Sequence, residues 1–72
     1  MGLSTSEKIR VTLMRRGMNL GDLAEKTGQT RQNLSNKMAR DNFAEKEIKQ
    51  IAAALDCDYE AYFIMRDTGD KI

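Results

Sequence analysis

The feature of this sequence that most limits its fold is the relative placement of one alanine, one glycine, one threonine and one leucine between positions 20 and 38. Ala24 lies in a short amphipathic segment, Gly28 follows four residues later, Thr30 comes next, and Leu34 lies about one turn further on. A small residue lets two helices cross closely, and glycine tolerates the positive φ angle of a tight turn. A threonine can cap the following helix, and the leucine can insert between the two. The spacing therefore predicts two short helices that cross at a tight turn.

Further helices are predicted around this pair. Ser4 and Glu7 have the spacing of a capping box, and Gly17 ends the first helix after two arginines whose charges suit its C-terminal dipole. Asn19 can cap the second helix, and the third is expected to run from Arg31 to about Arg40. The first forty residues are therefore expected to form three helices separated by tight turns.

A fourth helix is predicted by an apolar stripe, but its start has two interpretations. Either Ala44 is the cap and Phe43 packs back onto the helix as a hydrophobic staple, or Asn42 is the cap together with Glu45. Alanine caps poorly, which favours the second start, whereas the staple favours the first. The stripe has helical spacing and consists of Ile48, Ile51, Ala52 and Leu55.

The composition excludes most catalytic chemistry. The 72 residues allow one small domain, contain no histidine and include a single cysteine, Cys57. The commonest general base and metal ligand is therefore missing, and neither an internal disulfide nor a cysteine-rich zinc site can form. We expect one domain over residues 1–72 that is not an enzyme and has no catalytic residues, no metal site and no cofactor.

The sequence also gives no sign of a membrane location. No stretch approaches the roughly 20 apolar residues of a membrane span. The first six residues lack the basic region and the apolar run of a signal peptide. We therefore expect a cytoplasmic protein without a membrane partner.

The charge of the chain is divided unevenly along its length. The formal net charge is only +1, yet residues 1–40 hold eight basic and three acidic residues, whereas residues 41–72 hold four basic and eight acidic ones. The segment 27–40 contains three basic residues and no acidic one. This asymmetry indicates a basic surface suited to a polyanion and a second surface that is not basic.

The predicted third helix is too polar to be buried on most sides. Only Leu34 and Met38 form an apolar stripe, and the other positions are mainly amides, cations and a serine. Asparagine and glutamine can make bidentate contacts to adenine, and arginine can make them to guanine. The pattern therefore favours Gln32 and Asn36 as base contacts, with Arg31 contacting a base or a phosphate.

Together these elements have the spacing of a helix-turn-helix. The segment 19–38 resembles the phage repressor and Cro-type helix-turn-helix DNA-binding domains of the lambda-repressor-like family, and the resemblance extends over roughly residues 6–56. Leu20 stands where the family often has a glutamine that supports a phosphate contact, and Ala44 replaces the usual serine or threonine before the fourth helix. The expected fold is mainly α, with four short helices in a lambda-repressor-like bundle.

The resemblance implies a sequence-specific DNA-binding transcriptional regulator of a prokaryote or phage, with double-stranded DNA as its partner. The helix at about 31–40 would then read the major groove, and its end and the following loop would touch the DNA backbone. The alternative is a protein-interaction module, an antitoxin or adaptor, that keeps the same fold. The expected DNA-binding residues are Thr30, Arg31, Gln32, Asn33, Ser35, Asn36, Lys37, Arg40 and Asn42.

The C-terminal segment allows two interpretations. Residues 59–66 can form a fifth helix, but their tyrosine, phenylalanine and isoleucine content favours a β-strand, and the turn-forming residues 67–70 suit its end. Lys71 and Ile72 are expected to be too few to return as a second strand. The strand would then pair with the same strand of a second copy, so we expect a homodimer with residues 59–72 as its dimerisation tail. The resemblance implies the same mode of dimerisation.

Overall fold

The computed structural model describes residues 2–72 and contains four helices within them. These are α1 (Thr5–Arg16), α2 (Leu20–Lys26), α3 (Arg31–Arg40) and α4 (Glu45–Ala54). The expected mainly α fold with four short helices is therefore confirmed. None of these helices is long and apolar enough to cross a membrane.

Local hydrogen bonds fix the start of α1 as the sequence predicts. Ser4 Oγ accepts a hydrogen bond from the Glu7 N–H, and Glu7 Oε1 accepts one from the Ser4 N–H, both at 3.1 Å. Gly17 ends the helix with a φ angle of 64°, in the left-handed region. The capping box and the glycine stop are both confirmed.

The core lies where the four helices meet. Leu23 of α2 and Leu34 of α3 are completely buried, and Ala24 of α2 is only 2% exposed in the same core. Gly28, at a φ angle of 69°, makes the turn that lets α3 fold back across α2. The other three helices supply the remaining buried apolar residues. These are Ile9 and Leu13 of α1, Met38 of α3, Ile51 of α4 and, just past α4, Leu55. The expected tight crossing of α2 and α3 is therefore present.

The fourth helix begins at Glu45, with Ala44 at the cap position. The alternative start at Asn42 is wrong. Alanine has no side-chain acceptor, so the only capping contact is a long one of 3.5 Å, from the Ala44 N–H to Glu47 Oε1. Phe43 is half-buried and packs against the core, which agrees with the hydrophobic staple.

Arg16 connects the end of α1 to the end of α4. Its Nε donates to the Leu55 carbonyl oxygen and its Nη2 donates to the Asp56 carbonyl oxygen, each at 2.9 Å. The guanidinium therefore satisfies carbonyls that α4 leaves without helical partners. From the sequence, Arg16 is expected only to stabilise the C-terminal dipole of its own helix, α1.

The C-terminal segment folds back on itself as a short hairpin. Ile64 and Lys71 form an antiparallel bridge, and Phe63 and Ile72 exchange two main-chain hydrogen bonds of 3.0 and 2.8 Å. The expectation that the last two residues cannot return is therefore wrong. Gly69, at a φ angle of 77°, allows a tight turn that needs few residues.

The hairpin also decides between the two interpretations of residues 59–66. No helix forms there, so the fifth-helix alternative is wrong. The β-strand interpretation is closer to the structure, but regular strand pairing is limited to the single bridge between Ile64 and Lys71. The strand is short because its partner supplies only three residues, 70–72.

Candidate nucleic-acid interface

Helix α3 presents a polar face to the exterior because its apolar residues occupy the opposite side. Leu34 and Met38 are buried, with exposed fractions of 0% and 3%. Gln32, Asn36 and Arg40 follow one another at four-residue intervals on the far side, and all three are exposed. The exposed side of α3 therefore carries hydrogen-bonding groups and positive charge without an acidic residue.

Gln32 and Asn36 form one hydrogen-bonded unit. Gln32 Nε2 donates to Asn36 Oδ1 at 3.1 Å. This bond leaves Gln32 Oε1 available as an acceptor and Asn36 Nδ2 available as a donor. An acceptor beside a donor matches the adenine edge in the major groove, which presents the N6 amino group beside N7.

Asn33 is held toward the turn between α2 and α3. Its Nδ2 donates to Gln29 Oε1 at 3.2 Å, and Gln29 Nε2 donates to Thr27 Oγ1 at 2.8 Å. Asn33 is thus separated from the Gln32–Asn36 unit, although all three are among the expected DNA-binding residues. Gln29 was not selected from the sequence, and only its position beside the turn glycine could have suggested it.

Thr30 caps α3, as expected. Its Oγ1 accepts a hydrogen bond from the Asn33 N–H at 3.0 Å. The hydroxyl proton remains free to donate to an acceptor outside the protein. Ser35, one turn along on the same helix, is exposed and has a free hydroxyl group of the same kind.

The side chain of Arg31 lies over the start of α2. A Cβ added at Gly21 would be 3.7 Å from Arg31 Cδ, an ordinary van der Waals distance, so the arginine stem packs beside the start of α2. Leu20, the residue that departs from the family pattern, is half-buried against the core instead of facing outward. Leu20 and Gly21 therefore add no polar side chain to this surface.

Lys37 is less free than the sequence suggested. It forms an ion pair with Glu47 of α4, and the two side chains are only 30% and 32% exposed. The hydrogen bond from Lys37 lowers the pKa of the Glu47 carboxyl below its ordinary value, with partial desolvation opposing and the Ala44 N–H assisting. A phosphate that contacts Lys37 would have to compete with this carboxylate.

Arg40 and Asn42 lie on either side of Asp41, where α3 ends and the loop to α4 begins. Both are exposed. Among the described residues, neither Arg40 nor Arg31 is paired with a carboxylate. The two arginines therefore stand at opposite ends of α3 with their charges available to an anion.

The described part of the chain contains no group of three or more residues that could hold a metal ion. One pocket is lined by residues of α3, Asn33 and Lys37, and it has a volume of about 160 Å³. This volume is below the roughly 300–1,000 Å³ of typical small-molecule sites.

The comparisons with known proteins agree with this geometry. Residues 8–60 match the family model described as the Cro/C1-type HTH DNA-binding domain, which covers most of the chain. Comparisons with curated proteins and with solved structures find no match. The match includes all of α2, α3 and α4, and the resemblance to repressor and Cro-type domains is confirmed. The chain belongs to the Cro/C1-type helix-turn-helix DNA-binding domains.

Proposed function

We propose that this protein is a sequence-specific DNA-binding transcriptional regulator that reads the major groove with α3. The observation that carries the proposal is the exposed side of α3, where amide side chains and arginines stand together without an acidic residue. A helix of this kind can pair with base edges and phosphates at the same time. Membership of a DNA-binding family supports the same conclusion.

Base recognition is assigned to the first two turns of α3. The Gln32–Asn36 unit offers an acceptor and a donor side by side, which suits an adenine. Arg31 stands at the beginning of the helix with a free guanidinium, which suits a guanine or a nearby phosphate. The sequence specificity of the protein would then depend mainly on these three residues.

Backbone contacts are assigned to the two ends of α3. The free hydroxyl groups of Thr30 and Ser35 and the amide of Asn33 can reach phosphates at the first half of the helix. At the end of α3 and in the following loop, phosphates can be contacted by Lys37, Arg40 and Asn42. Cations in this role add affinity without sequence information, because each releases condensed counterions from the DNA.

A homodimer is the second part of the proposal. Phe63 is 80% exposed and Ile72 is 73% exposed in the hairpin that residues 59–72 form, and an isolated two-stranded hairpin is marginally stable in water. A second copy packed on this tail would cover the apolar surface. The two α3 helices would then contact half-sites about one helical turn apart, roughly 34 Å. In this proposal the protein acts in the cytoplasm of a prokaryote.

The alternative is a protein-interaction module, such as an antitoxin or an adaptor. The same exposed apolar tail favours it, since the tail could be covered by a different protein. In that case α3 would contribute little, and DNA binding would be secondary. The two functions predict different affinities for DNA at low salt.

A fluorescence titration separates the two functions. The protein is titrated into a labelled mixed-sequence duplex at low and at physiological salt, and the bound sites are then selected from a random library. The regulator should bind at low salt, weaken steeply as salt rises and enrich a defined motif. No binding at low salt would contradict the regulator and favour the adaptor.

A further inference from the structure

Two hydrogen bonds connect the start of α1 to the end of α3. Ser6 Oγ donates to the Met38 carbonyl oxygen at 2.7 Å, and the Ser6 N–H donates to Asp41 Oδ1 at 2.8 Å. Ser6 is 7% exposed and is the only buried polar residue among those described. Thirty-two and thirty-five residues separate the partners, so no local propensity explains these bonds.

One bond satisfies an N–H that the start of a helix leaves without a partner, and the other gives a second donor to a carbonyl at the end of a helix. The Ser6 N–H lies in the first turn of α1 and the Met38 carbonyl lies in the last turn of α3. The Asp41 carboxylate also stands at the positive end of the α1 dipole, where a negative charge is stabilised. An acidic side chain can therefore be accommodated here, although it lies directly between two candidate DNA contacts.

Asp41 has an unusual backbone conformation. Its φ and ψ angles are 52° and 41°, in the left-handed region, which residues other than glycine adopt at a cost unless the surroundings hold them there. This conformation sets the direction in which the chain leaves α3. Arg40 and Asn42 are its immediate neighbours, so the same angles fix where these two side chains lie relative to the exposed face of α3.

We propose that Ser6 and Asp41 are a positioning pair that holds Arg40 and Asn42 in place for the DNA backbone. The inference rests on the proposed function, because it concerns the phosphate contacts made at the end of α3. Neither residue of the pair needs to touch DNA. Their role is to order the loop before binding, so that less conformational entropy is lost when the phosphates are engaged.

Two substitutions at position 41 separate the hydrogen bond from the charge. Asp41→Gly tolerates the positive φ angle but has no acceptor, whereas Asp41→Asn keeps a side-chain oxygen at the same place and is also tolerated in the left-handed region. Both remove the carboxylate. The wild-type chain and both variants are titrated with the mixed duplex at several salt concentrations, at a temperature where circular dichroism shows full helix content.

The expected result is a change in the salt dependence of binding. Asp41→Gly should weaken binding and reduce the slope of log affinity against log salt by about 0.9 in magnitude, which corresponds to the loss of the Arg40 phosphate contact. Asp41→Asn should restore the wild-type slope. In the free protein, amide resonances of residues 40 and 42 should shift or broaden in Asp41→Gly and remain near their wild-type positions in Asp41→Asn.

Other outcomes overturn the proposal. If both variants keep the wild-type slope, or both lose it equally, the Asp41 acceptor does not position the loop. If Asp41→Gly does not fold, Ser6→Ala tests the other bond of the connection: it removes the hydrogen bond from Ser6 Oγ to Met38, keeps the main-chain bond to Asp41, and should also reduce the slope. An unchanged slope in Ser6→Ala would then overturn the positioning role. If the wild-type chain itself binds no DNA at low salt, the proposed function fails and the positioning role fails with it. If the wild-type chain binds DNA and the variants show the same salt slope as the wild type, only the positioning role is overturned.

Discussion

Lys37 and Glu47 form an ion pair that joins α3 to α4 beside the proposed DNA-facing surface. Lys37 Nζ donates to Glu47 Oε2, and Glu47 Oε1 accepts from the Ala44 N–H, so a single carboxylate holds the end of one helix and the start of the next. The bond to Ala44 is the only capping contact at the start of α4, since alanine has no side-chain acceptor. The same carboxylate also places a negative charge next to Lys37, the lysine expected to meet phosphate.

Replacement of Glu47 by glutamine should increase DNA affinity. Glu47→Gln removes the carboxylate that competes with phosphate for Lys37, so the salt slope should become steeper by about 0.9, one additional contact. Glu45→Gln is the matched control, since it removes the same charge from the first turn of α4 and Glu45 pairs with the exposed Lys49 instead. Titrations at several salt concentrations measure both variants. An equal change in the two variants would show that only the general charge matters.

Stability should depend on pH through the same carboxylate. The pKa of Glu47 is lowered in the folded protein, chiefly by the hydrogen bond from Lys37, so folding favours its charged form. Its contribution to the free energy of unfolding is therefore fully present above the unfolded-state pKa and is lost as pH falls through the lower folded-state pKa. Urea denaturation between neutral and acidic pH measures the effect. Glu47→Gln should lose less stability than the wild type over this range, and identical pH profiles would contradict the prediction.

Substitutions in α3 should separate specificity from general affinity. Gln32→Ala removes one half of the Gln32–Asn36 unit and should relax base choice at one position, with a loss of about 1–3 kcal/mol of discrimination. Lys37→Ala should weaken binding to all sequences alike, because phosphate contacts carry no sequence information. Selection from a random library followed by titration measures both effects. If Gln32→Ala lowers affinity but leaves the selected motif unchanged, the assignment of Gln32 to a base is wrong.

The close crossing of α2 and α3 gives a prediction about stability. Ala24 is 2% exposed in the same core as the fully buried Leu23 and Leu34, so Ala24→Leu should overpack the crossing and lower the free energy of unfolding by about 1–3 kcal/mol. Ala39→Leu is the control, because Ala39 is exposed on α3 and surface changes usually stay within about 0.5 kcal/mol. Thermal and urea denaturation measure both. Equal stability of the two variants would mean that the helices can move apart at little cost.

The helices could be predicted because their signals are local. Ser4, Asn19 and Thr30 each accept from an N–H three residues further on, and Gly17 has the positive φ angle that its position suggests. Side-chain type and short spacing determine such contacts. The positions of the four helices therefore followed from the sequence, apart from the start of α4, where the poor cap at Ala44 was misleading.

The contacts between helices could not be predicted in the same way. Arg16 reaches the Leu55 carbonyl 39 residues away, and Ser6 reaches Asp41 across 35 residues. These pairs depend on how the helices pack, and a single sequence gives no spacing rule for them. The same reason explains why Lys37 was expected to be free and Ser6 was not selected at all.

The return of the C-terminal hairpin was missed because main-chain hydrogen bonds need no side-chain signal. The turn at residues 66–69 is closed by a bond from the Gly69 N–H to the Met65 carbonyl at 2.7 Å, and three residues then suffice to pair with Phe63 and Met65. The hairpin satisfies part of its own backbone but leaves its apolar side chains uncovered. Pairing within one copy therefore does not remove the reason for a second copy.

The exposed tail gives the prediction that tests the homodimer. Phe63 is 80% exposed in the hairpin, and an aromatic side chain can bury about 150–250 Å² when a partner covers it. Phe63→Glu should therefore convert the dimer to a monomer, because a charge in the centre of an apolar contact would have to be desolvated. Met14→Glu is the matched control, since Met14 is equally exposed, at 80%, but lies on α1 outside the tail.

Sedimentation velocity at tens of micromolar measures the oligomeric state of the three proteins. The wild type and Met14→Glu should sediment as dimers and Phe63→Glu as a monomer with unchanged helix content. Because two linked α3 helices hold two half-sites at once, Phe63→Glu should also lose most of its affinity for a two-half-site duplex but little for a single half-site. If the wild type is a monomer at this concentration, the homodimer is no longer part of the proposal. If Phe63→Glu remains a dimer, the interface lies on another surface of the protein.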